Sequence, residues 1–139
     1  MSQPPSMEGH RPVREELLPY GHQWIHEDDI AAVVEVLRSD WLTGGPKVAE
    51  FEAAFAAVAG AAEAVAVSSG TAALHAAMHV LGIGPGDEVI VPAMTFAATA
   101  NCVVYMGGTP VFADVAPDTL LIDPADVEAH VTPRTRAII

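Results

Sequence analysis

The 139-residue sequence predicts an α/β fold with a mostly parallel sheet and flanking helices. Short apolar runs, typical of buried strands, alternate with apolar residues that repeat at helical spacing over about a dozen residues. Strands that are joined through helices cross over in the right-handed sense and pair in parallel. There is no internal repeat, so we expect one continuous alternation of strands and helices.

Composition limits the class of protein. Apolar residues make up 51% of the chain, which is enough for a hydrophobic core. The net charge of −12 argues against binding to nucleic acid or to an anionic membrane. The single cysteine, Cys102, excludes an internal disulfide, and no apolar run resembles a membrane span or a signal peptide. We therefore expect a cytoplasmic protein.

The first part of the chain predicts a leader and two helices. Residues 1–17 contain scattered prolines and charges, which indicate a flexible leader before an extended segment over 18–25. Acidic residues 27–29 and apolar residues spaced from Ile30 to Leu37 predict a first helix that ends near Ser39. A loop over 40–46 then leads to a helix that begins at Pro46 and ends at Gly60. Its expected buried face consists of Val48, Phe51, Phe55 and Val58.

Residues 64–81 predict a strand, a tight turn and a helix. The strand covers 64–67, the turn covers 68–71, and the helix carries Leu74, Met78 and Leu81 on one face. The first N–H groups of a helix have no partner within it, and the helix dipole makes that end partly positive. Gly70 allows a close approach to the backbone, and Ser68, Ser69 and Thr71 add hydroxyls, so the turn fits a phosphate. A simple helix cap formed by Ser69 or Thr71 explains the same residues.

The remaining sequence continues the alternation. Residues 82–87 resemble a dinucleotide fingerprint, but they follow a helix and precede a strand, so we interpret them as a turn. Strands are predicted over 88–91 and 110–113, with a helix over 95–105 between them and a further helix opened by Asp123. Residues 134–139 are typical of the start of a buried strand. We therefore expect the chain to be the N-terminal part of a longer protein.

Most side chains that could carry chemistry have a simpler explanation. His75 and His79 have metal-binding spacing, but the glutamate of the metalloprotease motif is absent, so no metal site is expected. Cys102 lies in an apolar helix without an evident base, and Lys47, the only lysine, lies beside a proline, so neither is expected to be a nucleophile. Asp114 at a strand end fits either a ligand contact or a turn cap. Phe96 taken alone is more typical of a core residue than of a ligand contact.

Four motifs in order resemble the DegT/DnrJ-type sugar aminotransferases: residues 68–75, 84–90, 95–101 and 110–114, with 40–47 upstream. These are pyridoxal-phosphate enzymes of the aspartate-aminotransferase fold, and the resemblance covers 18–139 as the N-terminal part of their large domain. It implies the PLP-dependent transferase type I fold. Residues 18–21 and 99–102 most resemble the branch that aminates UDP-4-keto-6-deoxy-N-acetyl sugars in pseudaminic acid synthesis.

The resemblance implies a role for each site residue. Gly70, Thr71 and Ala72 would bind the phosphate of pyridoxal 5'-phosphate, and Phe96 would stack on its ring. The sugar-nucleotide pocket would be lined by Gly70 together with Tyr20, Asp40, Trp41, Leu42 and Thr43. The amino donor would be an amino acid such as glutamate, and the enzyme a homodimer with a shared active site.

The resemblance also places the catalytic centre outside this chain. The Schiff-base lysine and the acid that pairs with the ring nitrogen are expected beyond residue 139, and Asp114 does not match that acid. No catalytic residue is therefore assigned here, and the chain alone is predicted to be inactive. Gly44 stands where the family commonly has a polar residue, which leaves the substrate less defined. The alternatives are a sugar dehydratase of the same family and a non-catalytic module that binds cofactor or a partner.

Overall fold

The computed structural model describes residues 14, 16 and 18–139, and it combines five helices with a parallel three-stranded sheet, an α/β fold as predicted. Most of the predicted leader over 1–17 lies outside the described residues. The chain forms two compact units, of which the first ends at Ala49 and the second is Glu50–Ile139. The elements in order are α1 Glu27–Leu37, α2 Pro46–Ala59, α3 Gly70–Val80, β1 Glu88–Pro92, α4 Ala98–Tyr105, β2 Thr109–Ala113, α5 Pro124–His130 and β3 Thr135–Ile138.

The sheet belongs to the second unit and has the strand order β2-β1-β3, with both pairs parallel. Ile90 in the central strand aligns with Val111 on one side and with Ile138 on the other. Val89, Ile90 and Val91 are fully buried. A continuous apolar run is typical of a central parallel strand, because such a strand is covered on both faces.

The main core lies where α3 and α4 pack on the sheet. Met78 of α3 and Val103 of α4 meet alternate side chains of β1, and Leu74 packs at the margin. The buried cluster consists of Met78, Ile83, Val89, Val91, Cys102 and Val103. This packing fixes both helices against β1, which follows α3 and precedes α4.

The connections place the N-termini of α3 and α4 at the same edge of the sheet. α3 leads through the turn at residues 81–87 into the start of β1, so α3 runs back along the sheet and its own start lies toward the carboxyl ends of the strands. α4 follows the end of β1 and begins at that same edge. In open α/β sheets, ligands bind outside the carboxyl ends of the strands. The predicted phosphate turn and Phe96 both belong to this edge.

The strand predicted over residues 64–67 is wrong. The segment leads into α3 but pairs with no strand among the described residues. The Ala66 N–H instead donates to Glu52 Oε1 at 2.8 Å, and Val65 is exposed. An apolar, β-branched run favours an extended backbone, but a sheet strand also needs a neighbouring strand, which local sequence does not specify.

The expected buried face of α2 and the expected start of α4 are also wrong. Phe51, Phe55 and Val58 of α2 are exposed, and Ala56 is the only buried residue of that helix. Periodicity identifies an apolar stripe, but other residues must cover it, and the residues that the structure describes bury α2 only at Ala56. α4 begins at Ala98, three residues later than predicted, because residues 95–97 form a turn rather than helix.

Among the residues that the structure describes, none of the helices is sufficiently long and apolar to cross a membrane.

Candidate functional site at the carboxyl edge of the sheet

The first turn of α3 presents two backbone donors at the carboxyl edge. Ser69 caps the helix: its hydroxyl accepts the Ala72 N–H at 3.1 Å and its carbonyl accepts the Ala73 N–H at 3.1 Å. Within the described part of the chain, the N–H groups of Gly70 and Thr71 donate to no other group. These two donors and the Thr71 hydroxyl are therefore available to a ligand, beside the positive end of the helix dipole.

Gly70 leaves open space at this turn. An added Cβ at Gly70 would meet no atom within 4 Å, and the backbone does not have a positive φ. Neither packing within the described chain nor backbone strain therefore explains the glycine. A largely apolar groove of about 580 Å³, lined by Phe51, Phe55 and Val67 among others, opens beside Ser69 and Gly70. A glycine is typical where a ligand comes close to the backbone, and the exposed donors fit a phosphate group.

Phe96 lies in the loop between β1 and α4, with 78% of its surface exposed. It is not a core residue, so its ring presents a flat apolar surface at the edge that also carries the α3 turn. Its carbonyl accepts the Thr99 N–H at 2.9 Å, and the hydroxyls of Thr95 and Thr99 lie 2.9 Å apart. Sequence reasoning missed this pair because it placed both threonines inside a helix. The available signal was two threonines four residues apart on either side of Phe96.

The expected sugar-nucleotide residues Tyr20, Asp40, Trp41, Leu42 and Thr43 lie in the first unit and are exposed. Their grouping with Gly70 into one pocket stays a prediction. The structure does show how the loop at residues 40–46 is held. Trp41 N–H donates to Ser39 Oγ at 3.2 Å, and Ser39 Oγ donates to the Val36 carbonyl at 2.8 Å. Gly44 and Gly45 both adopt positive φ, which L side chains rarely tolerate.

Cys102 and His75 have structural surroundings. The Cys102 thiol is buried and donates to the Thr99 carbonyl at 3.2 Å, and burial raises its pKa, which reduces its reactivity. The His75 ring packs edge-on against Tyr105 with 5.4 Å between ring centroids, where α3 meets α4. Across residues 14, 16 and 18–139, no three or more His, Cys, Asp or Glu side chains are arranged to hold a metal ion.

Asp114 organises the turn after β2. Its carboxylate accepts the Val115 N–H at 2.8 Å, its own N–H donates to Asp126 Oδ2 at 2.6 Å, and its carbonyl accepts the Asp123 N–H at 2.9 Å. These bonds support the turn-cap explanation. Lys47 at the start of α2 lies 3.9 Å from a Glu35 carboxylate oxygen, in the geometry of a surface ion pair.

The model of the DegT/DnrJ/EryC1/StrS aminotransferase family matches residues 23–139. The chain belongs to this family. It is 53% identical over 126 residues to the spore coat polysaccharide biosynthesis protein SpsC of Bacillus subtilis (strain 168), with 91% of this chain and 32% of SpsC covered. The family expectation from the sequence motifs is confirmed.

The chain is also similar to several solved structures. Spr1654 of Streptococcus pneumoniae, assigned as a sugar aminotransferase, superposes in its PLP form with a TM-score of 0.80 at 40% identity, covering 87% of this chain and 31% of that one. Spr1654 is also known in a PMP form. 3-Amino-5-hydroxybenzoic acid (AHBA) synthase gives a TM-score of 0.76 at 43% identity, and the match covers 86% of this chain and 32% of that synthase. The expected fold class is confirmed, and the chain spans about a third of the length of these relatives.

Proposed function

We propose that this chain forms the phosphate-binding and ring-stacking part of a PLP-dependent aminotransferase that acts on a nucleotide-linked keto sugar. The observation that carries the proposal is the turn at the start of α3, at the sheet edge that also carries the exposed Phe96. The N–H groups of Gly70 and Thr71 in this turn donate to no group among the described residues. When bound, the cofactor supplies an electron sink for moving an amino group from an amino acid to a keto carbon.

Each residue of the chain has a definite task in this proposal. The N–H groups of Gly70 and Thr71 and the Thr71 hydroxyl bind the cofactor phosphate, assisted by the dipole of α3. The Ala72 N–H, which donates to the Ser69 hydroxyl, would be shared with the same phosphate. Phe96 covers one face of the cofactor ring and holds it flat, because an exposed aromatic side chain stacks readily on another planar ring.

Tyr20 and the loop residues Asp40, Trp41, Leu42 and Thr43 line the sugar-nucleotide pocket together with Gly70 in our proposal. A sugar substrate is supported by the similarity to SpsC, a polysaccharide biosynthesis protein, and to Spr1654. Glutamate as the donor, a homodimer with a shared active site and a cytoplasmic location rest on the family resemblance. Similarity to AHBA synthase makes a non-sugar keto substrate the second candidate, because its name gives an aromatic amino acid as product.

Replacing Thr71 tests the phosphate site. In the longest reading frame that contains this chain, we expect Thr71→Val to weaken PLP binding by about 1 to 3 kcal/mol, or roughly 5- to 150-fold in Kd, because a hydrogen bond to a charged group is lost. Pyridoxal without its phosphate should bind equally well to both proteins. Thr109→Val, at the opposite edge of the sheet, is the matched control. Equal PLP affinity for Thr71→Val and the wild type would refute the assignment.

The coding sequence beyond Ile139 separates the remaining alternatives. A lysine in the position of the Schiff-base residue would support the aminotransferase. A histidine in that position would favour the sugar dehydratase of the same family. A stop codon at position 140 would favour the non-catalytic module, because Lys47 is the only lysine of this chain and has a glutamate beside it.

A further inference from the structure

We infer that Thr99, acting through its hydrogen bond with Thr95, is a positioning residue for the Phe96 ring. The inference rests on the proposed function, in which Phe96 stacks on the cofactor. Thr99 lies in the first turn of α4 and is 7% exposed, whereas Phe96 is 78% exposed. A buried residue thus holds the backbone of an exposed one.

Thr99 contacts the loop on both sides of the Phe96 ring. Its N–H donates to the Phe96 carbonyl at 2.9 Å, which fixes the chain directly after the ring. Its hydroxyl lies 2.9 Å from the Thr95 hydroxyl, which fixes the residue directly before the ring. The direction in which a side chain leaves the backbone depends on the dihedral angles on both sides of its Cα. Two contacts to one buried residue therefore restrain the backbone from which the ring projects, and with it the directions that the ring can take.

The usual restraint of a helix start is missing here. The N-cap residue Ala97 makes no side-chain cap hydrogen bond, so the Thr95–Thr99 hydrogen bond takes the place of a cap side chain in ordering the loop. Thr99 is itself anchored, because its carbonyl accepts the hydrogen of the buried Cys102 thiol at 3.2 Å. The contacts run without interruption from the core to the loop that carries Phe96.

A restrained ring matters for stacking because aromatic pairs interact favourably only in certain offset or edge-on arrangements. If Phe96 samples several orientations, part of the protein lacks the stacking geometry. Losing the stacking contribution of one aromatic pair would weaken the binding of PLP roughly 2- to 10-fold. We expect a change of this size in the Kd for PLP when the Thr95–Thr99 hydrogen bond is removed.

Fluorine NMR of the full chain labelled with fluorophenylalanine tests the positioning without cofactor. The four phenylalanines give four signals, and Phe96→Leu identifies the one of interest. Thr99→Val removes the hydroxyl but keeps the backbone N–H and the branched shape, so we expect the Phe96 signal to shift and broaden. Thr99→Ser should restore the wild-type signal. Thr95→Val should act like Thr99→Val, and the double variant should add nothing to either.

The control variant is Thr132→Val, which removes a hydroxyl bonded to Glu88 at the opposite edge of the sheet and should leave the Phe96 signal unchanged. An unchanged Phe96 signal in Thr99→Val, or an equal change in Thr132→Val, would overturn the inference. If Thr99→Val does not fold, Thr95→Val removes the same hydrogen bond from the exposed side. If PLP never perturbs the wild-type Phe96 signal although Thr99→Val broadens it, the positioning stands and the proposed stacking on the cofactor fails.

Discussion

The loop at residues 40–46 has its observed shape only because Gly45 lacks a side chain. Gly45 has φ +78°, and an added Cβ would lie 2.7 Å from Trp41 Cβ and 3.2 Å from Trp41 Cγ. Trp41 Cβ is bonded directly to the backbone, so rotating the indole cannot relieve the first contact. Gly44 next to it has φ +66°, but an added Cβ there would meet nothing within 4 Å. Both glycines have a positive φ, but only Gly45 lies against Trp41, so comparing an alanine at each position isolates the effect of the contact with Trp41.

The geometry sets the size of each effect. Gly44→Ala adds only the cost of a left-handed backbone for a residue with a Cβ, about 1 to 2 kcal/mol. Gly45→Ala adds that cost and also an overpacked contact, which is typically about 1 to 3 kcal/mol. We therefore expect Gly45→Ala to destabilise the loop by about 2 to 5 kcal/mol and to displace Trp41.

Trp41 fluorescence measures this difference directly. The chain has two tryptophans, so a Trp24→Phe background leaves Trp41 as the only reporter. We expect Gly45→Ala to change the emission maximum and the acrylamide quenching of Trp41, and Gly44→Ala to leave both near the parent values. Denaturant titrations followed at Trp41 should rank the two variants in the same order. Equal effects of the two substitutions would refute the reasoning, because the only difference between them is the contact with Trp41.

Three further predictions concern the second unit. Hydrogen bonds from Thr132 and Arg134 hold the pKa of Glu88 below its ordinary value of 4.5. The charged Glu88 side chain therefore stabilises the fold fully above pH 4.5, and this stabilisation is lost as the pH falls through the lowered pKa. In acid titrations of the free energy of unfolding, Glu88→Gln should show a weaker pH dependence below pH 4.5 than the wild type. Cys102 should react with a thiol reagent only after unfolding, because burial protects it and raises its pKa; rapid reaction of the folded protein would contradict this. Ile90→Val should lower the free energy of unfolding by about 0.5 to 1.5 kcal/mol in urea titrations, because it removes one fully buried methylene; no change would mean that the strand is loosely packed.

The elements that could be predicted from the sequence are those whose signals are local. The acidic start of α1 includes Asp29, whose carboxylate accepts the His26 N–H at 2.8 Å and so closes the first turn. Pro46 begins α2, and Asp123 caps α5 by accepting the Ala125 N–H at 2.9 Å. Each signal acts within a few residues, so tertiary context does not alter it.

The elements that could not be predicted depend on residues far away in sequence. The segment at 64–67 has the composition of a strand, but a strand must pair with a neighbouring strand. The Ala66 N–H in this segment instead donates to the Glu52 side chain. The exposed Phe51 and Phe55 show the same limit for helix faces, since periodicity does not determine what covers a face. β3 differs from the segment at 64–67 because it does pair with a neighbouring strand. Just before β3, Thr132 and Arg134 donate hydrogen bonds to Glu88 of β1, which lies 44 and 46 positions earlier in the chain.

The two explanations of the turn at residues 68–71 are compatible rather than competing. A helix start leaves four N–H groups without helical partners, here those of residues 69–72, and the Ser69 hydroxyl accepts the N–H of Ala72. That cap leaves the donors of Gly70 and Thr71 at the first turn. Because the cap holds the turn in place, the remaining donors keep a defined direction before any ligand arrives, which lowers the ordering cost of binding. Capping by Ser69 therefore supports phosphate binding by its neighbours instead of replacing it.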